Sequence, residues 1–258
     1  MPRDWTDEER LAALYLYFQT PFGKLHKGNR EIIELAERMG RTPSSVAMKL
    51  TNFASLDPEL QSRGTRGLPG ASAGDRAIWT AFSSDWNRMV EQSTVAYDAL
   101  ILPGRAVEPE GRTTPTPDPT APDGPTTVRR SVAVRRGQDW FRATLKAGFD
   151  GRCCISGCDI DSMLVASHIV PWSEEEKLRL NPRNGLLLSA IHDRAFEHGY
   201  LAISDENRVM VATSVRTSAN AFLRQAVGSF HEAPLRMPER FPPDPALLRR
   251  HRESRFRG

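Results

Sequence analysis

A histidine interrupts the apolar run LVASHIVPW at position 168, and sixteen residues later the segment NGLLLSAIHDRAFEHG, opened by Asn184, gathers His192, Asp193, Glu197 and His198. Each residue type has a defined chemical use. A neutral imidazole takes a proton from water near neutral pH, so His168 is a candidate general base. An amide such as Asn184 holds an imidazole in one orientation and tautomer. On a helix Asp193 and Glu197, four apart, share a face, so both carboxylates can reach one hard cation through oxygen, while His192 points about 100° away. A base, an orienting amide and a helix-borne cation site together suit hydrolysis of a phosphodiester around one metal ion.

Several elements must position these groups. Trp140, Phe141, Leu145 and Phe149 in GQDWFRATLKAGFDG describe one helix face. GRCCISG and SMLVASHIVPW, separated by the turn residues GCDIDS, predict a β-hairpin that carries His168 on its second strand. SEEEKLRLNPRN reads as a polar loop, NGLLLSAIHDRAFEHG as a helix begun by Asn184, and GYLAIS-DEN-RVMVAT as a second hairpin. The order is β, β, loop, α, then β again.

Residues 103–127 contain seven Pro and six Thr with almost no large apolar side chain, the composition of a semi-rigid linker. They separate an N-terminal domain, 1–102, from a C-terminal domain, 128–258, each expected to have its own core. The N-terminal domain reads as mostly helical. TDEERLAALYLYFQ opens on a Thr cap, NREIIELAERMG runs from Asn29 to Gly40, and TPSSVAMKLTNFASL opens on Thr42 and Pro43. The last two resemble a helix-turn-helix. A further single helix is expected over AGDRAIWTAFSSDWNRMVEQS, after a Gly-rich loop that carries Arg63 and Arg66 and suits a wing. One reading makes this a helical bundle that merely packs. The other lays Ser44, Ser45, Met48, Lys49 and Asn52 in a DNA major groove, with Lys49, Arg63 and Arg66 on phosphates.

The motifs Ser-His-Ile-Val-Pro-Trp, Asn-Gly-Leu and His-Asp-Arg-Ala-Phe-Glu-His-Gly, in that order, resemble the HNH endonucleases of the ββα-metal fold over about residues 130–258. The resemblance implies an α+β fold class, with a mostly helical, winged-helix-like N-terminal domain, a Pro/Thr-rich linker and a ββα-metal nuclease domain. It implies catalytic roles for His168 as base, Asn184 as orienting residue and His192, and a divalent cation, Mg²⁺ or Mn²⁺, held from the helix. Many relatives place the ligand nine residues after the Asn. Asp193 therefore ranks first, His192 second and Glu197 third. Most such enzymes carry Asp, Glu or His just before the base, where this chain has Ser167. Zinc-stabilised members need a Cys pair on each side of the motif. Here Cys153, Cys154 and Cys158 lie on one side only, so no structural zinc is expected.

The GRTPSSVAMKLTNFASLDP stretch is similar to domains fused to HNH nucleases in bacterial restriction-like proteins. That similarity implies a restriction enzyme reading double-stranded DNA, with N6-methyladenine the first candidate modification and 5-methylcytosine the second, and a homodimer as a compatible assembly. The alternative is a non-catalytic DNA-binding regulator with a degenerate nuclease domain. Composition agrees with a polyanion partner only in one half: 12 Lys and Arg stand against 13 Asp and Glu in residues 1–102, but 21 against 15 in residues 128–258. Three cysteines within six residues, a polar N-terminus and no long apolar run predict a reducing, cytoplasmic setting. In the tail RMPERFPPDPALLRRHRESRFRG, a docking helix would bury Leu247, Leu248 and Phe256 and turn Arg249, Arg250 and Arg252 to DNA or to solvent.

Overall fold

The structure, a computed structural model, describes residues 3–62, 64, 70–102 and 125–258. The N-terminal half is helical where the caps dictate. α1 (Asp7–Gln19) starts at Thr6, which forms a capping box with Glu9. α2 (Arg30–Met39) is capped by Asn29 and ended by Gly40, and α3 (Pro43–Ala54) by Thr42 with Pro43 in its first turn. After the short α4 (Pro58–Ser62), the helix expected next is two: α5 (Ala73–Ser84) and α6 (Trp86–Ile101). Asp85 breaks the chain at φ −148°, and its carboxylate accepts the Arg88 N–H to begin α6. Ser and Asp side chains compete with helical hydrogen bonds in this way. No strand occurs among the described residues of this half, and Arg63 and Arg66 of the expected wing lie outside the described residues.

α7 (Pro125–Gly148) begins inside the range read as linker. It delivers Trp140, Phe141 and Leu145 to the core, with Phe149 just beyond. The expected first hairpin is corrected. Residues 153–158 form a turn, with the Cys153 N–H on the Cys158 carbonyl at 2.8 Å and the Cys154 N–H on the Leu187 carbonyl at 2.8 Å. The partner of β1 (Leu164–His168) is β2 (Gly185–Ser189), antiparallel, in the register Leu164↔Ser189 to His168↔Gly185. GLLLS, read as helix, is therefore a strand buried along its whole length, and α8 (Ala190–Glu197) starts only at Ala190. Gly185 is required there: a Cβ would sit 2.6 Å from Leu145 and 2.7 Å from Phe141.

The second hairpin forms as expected from β3 (Leu201–Ile203) and β4 (Val209–Val211). α9 (Thr213–Arg216) and α10 (Ala221–Ala226) follow. α11 (Pro245–Arg255) then docks with Leu248 buried and Leu247 and Phe256 partly so. No helix among the described residues is long and apolar enough to cross a membrane.

One apolar cluster includes residues of both halves. Phe18 of α1 lies 5.6 Å from Trp140 of α7 and 5.2 Å from Phe241, ring centre to ring centre. Arg240, 2% exposed, donates to the carbonyls of Tyr17 and Thr20 and lies 4.5 Å over the Tyr17 ring.

Candidate active site

His168 ends β1 with its ring stacked on Phe141 of α7, centroids 4.1 Å apart and 5° from parallel, and edge-on to Trp172. Its Nε2 lies 2.9 Å from the Arg179 carbonyl. A carbonyl only accepts, so in the neutral ring the proton sits on Nε2 and the Nδ1 lone pair is the basic site. Burial lowers the imidazole pKa below its ordinary value, against the pull of that hydrogen bond. The ring is thus oriented, in one tautomer and neutral at pH 7.

His168 opens onto a cleft whose walls include Ser167, Trp172, Asp193, Glu197, His251 and Arg255. β1 supplies His168 and α8 supplies Asp193 and Glu197 to this cleft, and β2 runs directly into α8. Burial raises the Asp193 pKa; the Ser167 hydroxyl, donating to the carboxylate, opposes the rise and the nearby Glu197 charge adds to it. Glu197 also pairs with Arg194 at 2.8 Å on the exposed side. No three His, Cys, Asp or Glu side chains among the described residues form a closed metal cage. Mg²⁺ needs none, since it binds through one or two carboxylates, water and substrate phosphate. Two oxygen donors on one helix face, one of them desolvated beside a like charge, fit such a cation.

The other candidates take different places. Asn184 is 1% exposed and its side chain makes no hydrogen bond to the imidazole. It ends a 3₁₀ turn (Pro182–Asn184) rather than opening a helix. Its Oδ1 accepts the Val170 N–H at 2.8 Å, and its Nδ2 donates to the carbonyls of Val170 and Leu178 at 3.0 and 3.2 Å. It pins the loop whose next residue, Arg179, holds His168, so its orienting effect is indirect. His192 is turned away from the cleft. It is 2% exposed, its Nδ1 lies 2.7 Å from the Ser189 hydroxyl and 3.9 Å from Cys153 Sγ, and its ring stands edge-on to Phe230. Burial alone would raise the Cys153 thiol, yet hydrogen bonds led by His192 bring it to about 6. The reason is the corrected strand: with α8 starting at Ala190, His192 falls in its first turn, on the core side.

On α3, Ser44 and Met48 are exposed and Ser45 half-buried, but Lys49 and Asn52 face inward. Lys49 Nζ contacts both Asp75 oxygens at 2.7 and 2.8 Å and lies 4.7 Å over Trp5. Asn52 donates to the Gly70 carbonyl at 3.2 Å. Neither is free to meet a phosphate or a base edge as it stands.

Sequence reasoning missed His251. It stacks on Phe196 at 3.7 Å, its Nε2 is 3.0 Å from the Phe196 carbonyl, and its buried Nδ1 has no partner. Burial lowers its pKa to about 4. The available signal was helical spacing, since the buried Leu248 and His251 lie three apart on one face of α11.

Residues 153–204 match the family model described as HNH endonuclease (HNH_2). The matched span holds His168, Asn184, His192, Asp193 and Glu197, and ends well before α11. A search of curated proteins finds no match.

Proposed function

We propose that this chain is a metal-dependent DNA endonuclease in which His168 is the general base and Asp193 and Glu197 hold the divalent cation, Mg²⁺ or Mn²⁺. The observation that carries the reading is a neutral, tautomer-fixed His168 sharing a cleft with Asp193 inside the span that matches the HNH endonuclease model. His168 Nδ1 takes the proton of a water; the resulting hydroxide attacks phosphorus, the P–O3′ bond breaks, and solvent protonates the leaving oxygen. When bound, the cation neutralises charge on the phosphate and the leaving oxygen. Ser167 steadies Asp193, and Asn184 steadies the loop that orients His168.

The finer reading is a restriction enzyme acting on double-stranded DNA, with methylated DNA, N6-methyladenine first and 5-methylcytosine second, as its target and the N-terminal half as its reader. It rests on the α2–α3 turn, on the exposed Ser44 and Met48 and on the half-buried Ser45. A second reading, a DNA-binding regulator without cleavage, draws on Ser167, a poor metal ligand that stands just before His168. Supercoiled plasmid incubated with Mg²⁺, with Mn²⁺ and with EDTA separates the two. The nuclease nicks with metal and stops with EDTA; equal absence of nicking in all three supports the regulator. Plasmids from methylating and non-methylating hosts then test the restriction reading.

A further inference from the structure

The cleft at His168 and Asp193 continues into a second concavity, sharing Glu197 and Arg255 with it and walled otherwise by Glu174, His198, Arg250 and Arg257. Its cationic wall is the end of α11, which lies outside the span matching the endonuclease model. The helix is fixed to the turn after α8 by backbone and to α8 itself by packing. Gly199, at φ 73°, lets the Arg255 carbonyl approach so closely that a Cβ would lie 1.9 Å from it, and the Gly199 carbonyl accepts the Arg257 N–H at 2.9 Å. With His251 stacked on Phe196, these contacts set Arg255 and Arg257 beside the carboxylate end of α8.

The arginines of α11 divide into two sets. Arg249 and Arg252 reach Asp205 in the β3–β4 turn, away from the cleft. Arg250 and Arg255 instead cross the concavity to Glu174 in the loop after β1, and Arg250 also meets Glu175 at 2.8 Å. Those pairs are partly exposed, the Arg255 side chain at 33% and Glu174 at 39%, so they are cheap to exchange. Guanidinium groups bind carboxylate and phosphate with the same fork geometry.

We propose that Arg250, Arg255 and Arg257 form the track for the DNA backbone leading into the cleft, with Glu174 as a stand-in carboxylate that the incoming phosphate displaces. The inference rests on the nuclease reading for its substrate. It assigns Arg249 and Arg252, which the sequence offered together with Arg250 as DNA contacts, to the support of the β3–β4 turn.

The test uses the full chain carrying His168→Ala, so that bound duplex stays uncut, and fluorescence anisotropy with a short DNA duplex over a salt series. Arg255→Ala should weaken binding several-fold and flatten the salt dependence by about one counterion. Glu174→Gln should tighten binding several-fold, and Arg249→Ala should match the parent. Circular dichroism checks that each variant is folded, and Arg255→Lys, which keeps the charge, should retain most of the salt slope. Parental binding left unchanged by both Arg255→Ala and Glu174→Gln overturns the track. It leaves the nuclease reading intact, because that stands on plasmid nicking by the unaltered chain. A parent that binds no duplex overturns the track as well.

Discussion

Lys49 and His168 are both polar residues in apolar surroundings, one in each half of the chain, and their partners separate them. Lys49 is closed: it is 6% exposed and both oxygens of Asp75 take its ammonium, while Arg10 and the Ser72 backbone N–H complete the carboxylate. Burial pushes the Asp75 pKa up, but Lys49 and the Ser72 hydrogen bonds bring it below its ordinary value. His168 is half open. One nitrogen is committed to Arg179, and the basic nitrogen is left for a cleft shared with Asp193. A buried polar group whose partners are all internal holds a fold together, and one with a lone pair left over at a cleft has capacity for chemistry.

The largest effect on stability should come from breaking the closed pair. Lys49→Ala leaves Asp75 buried with weaker partners and should cost about 3 kcal/mol or more, as loss of one member of a buried ion pair does. Denaturant unfolding measures it. A loss of DNA affinity with unchanged stability would instead return Lys49 to the DNA-contacting role that its sequence position suggested.

Next is the support of the open site. Ser167→Ala removes the hydroxyl from Asp193 and should weaken Mg²⁺ or Mn²⁺ binding roughly tenfold, the usual size for a group that orients a ligand. Calorimetric titration of metal reads it, with His192→Ala as the contrast: that variant should lose stability and keep metal affinity.

The smallest effect is in pH. Because burial lowers the His168 pKa, the base stays neutral as pH falls past 6.5, so the acid limb of kcat/KM should lie below that ordinary imidazole value. His251 adds a stability term of known sign. Between about 6.5 and its folded value of about 4, the unfolded chain binds a proton that the folded chain does not. Stability should therefore decline as pH falls through that window, and His251→Phe should flatten the decline in a series of thermal melts.

Much of this was legible in the sequence, for identifiable reasons. Helix caps announce themselves locally, which is why Thr6, Asn29 and Thr42 begin the helices their types predict. The spacing of His168, Asp193 and Glu197 survived into one cleft because β1, β2 and α8 are contiguous. What failed required knowledge of partners. GLLLS is a short apolar run that periodicity cannot assign to helix or strand, and reading it as helix moved His192 to the wrong side. Lys49 and Asn52 face inward because Asp75 and Gly70, far along the chain, receive them. His251 and Arg255 join the site only when α11 folds back over α8, a contact that no local pattern encodes.

The nuclease reading stands or falls with His168 as the base of a hydrolytic site. Cleavage of supercoiled plasmid with Mg²⁺ or Mn²⁺ by the unaltered chain and by His168→Ala, at temperatures where both are folded, tests it most directly. The unaltered chain should nick, and His168→Ala should lose roughly 10²–10⁴ in rate while keeping duplex binding. Nicking by His168→Ala at the parental rate would contradict it.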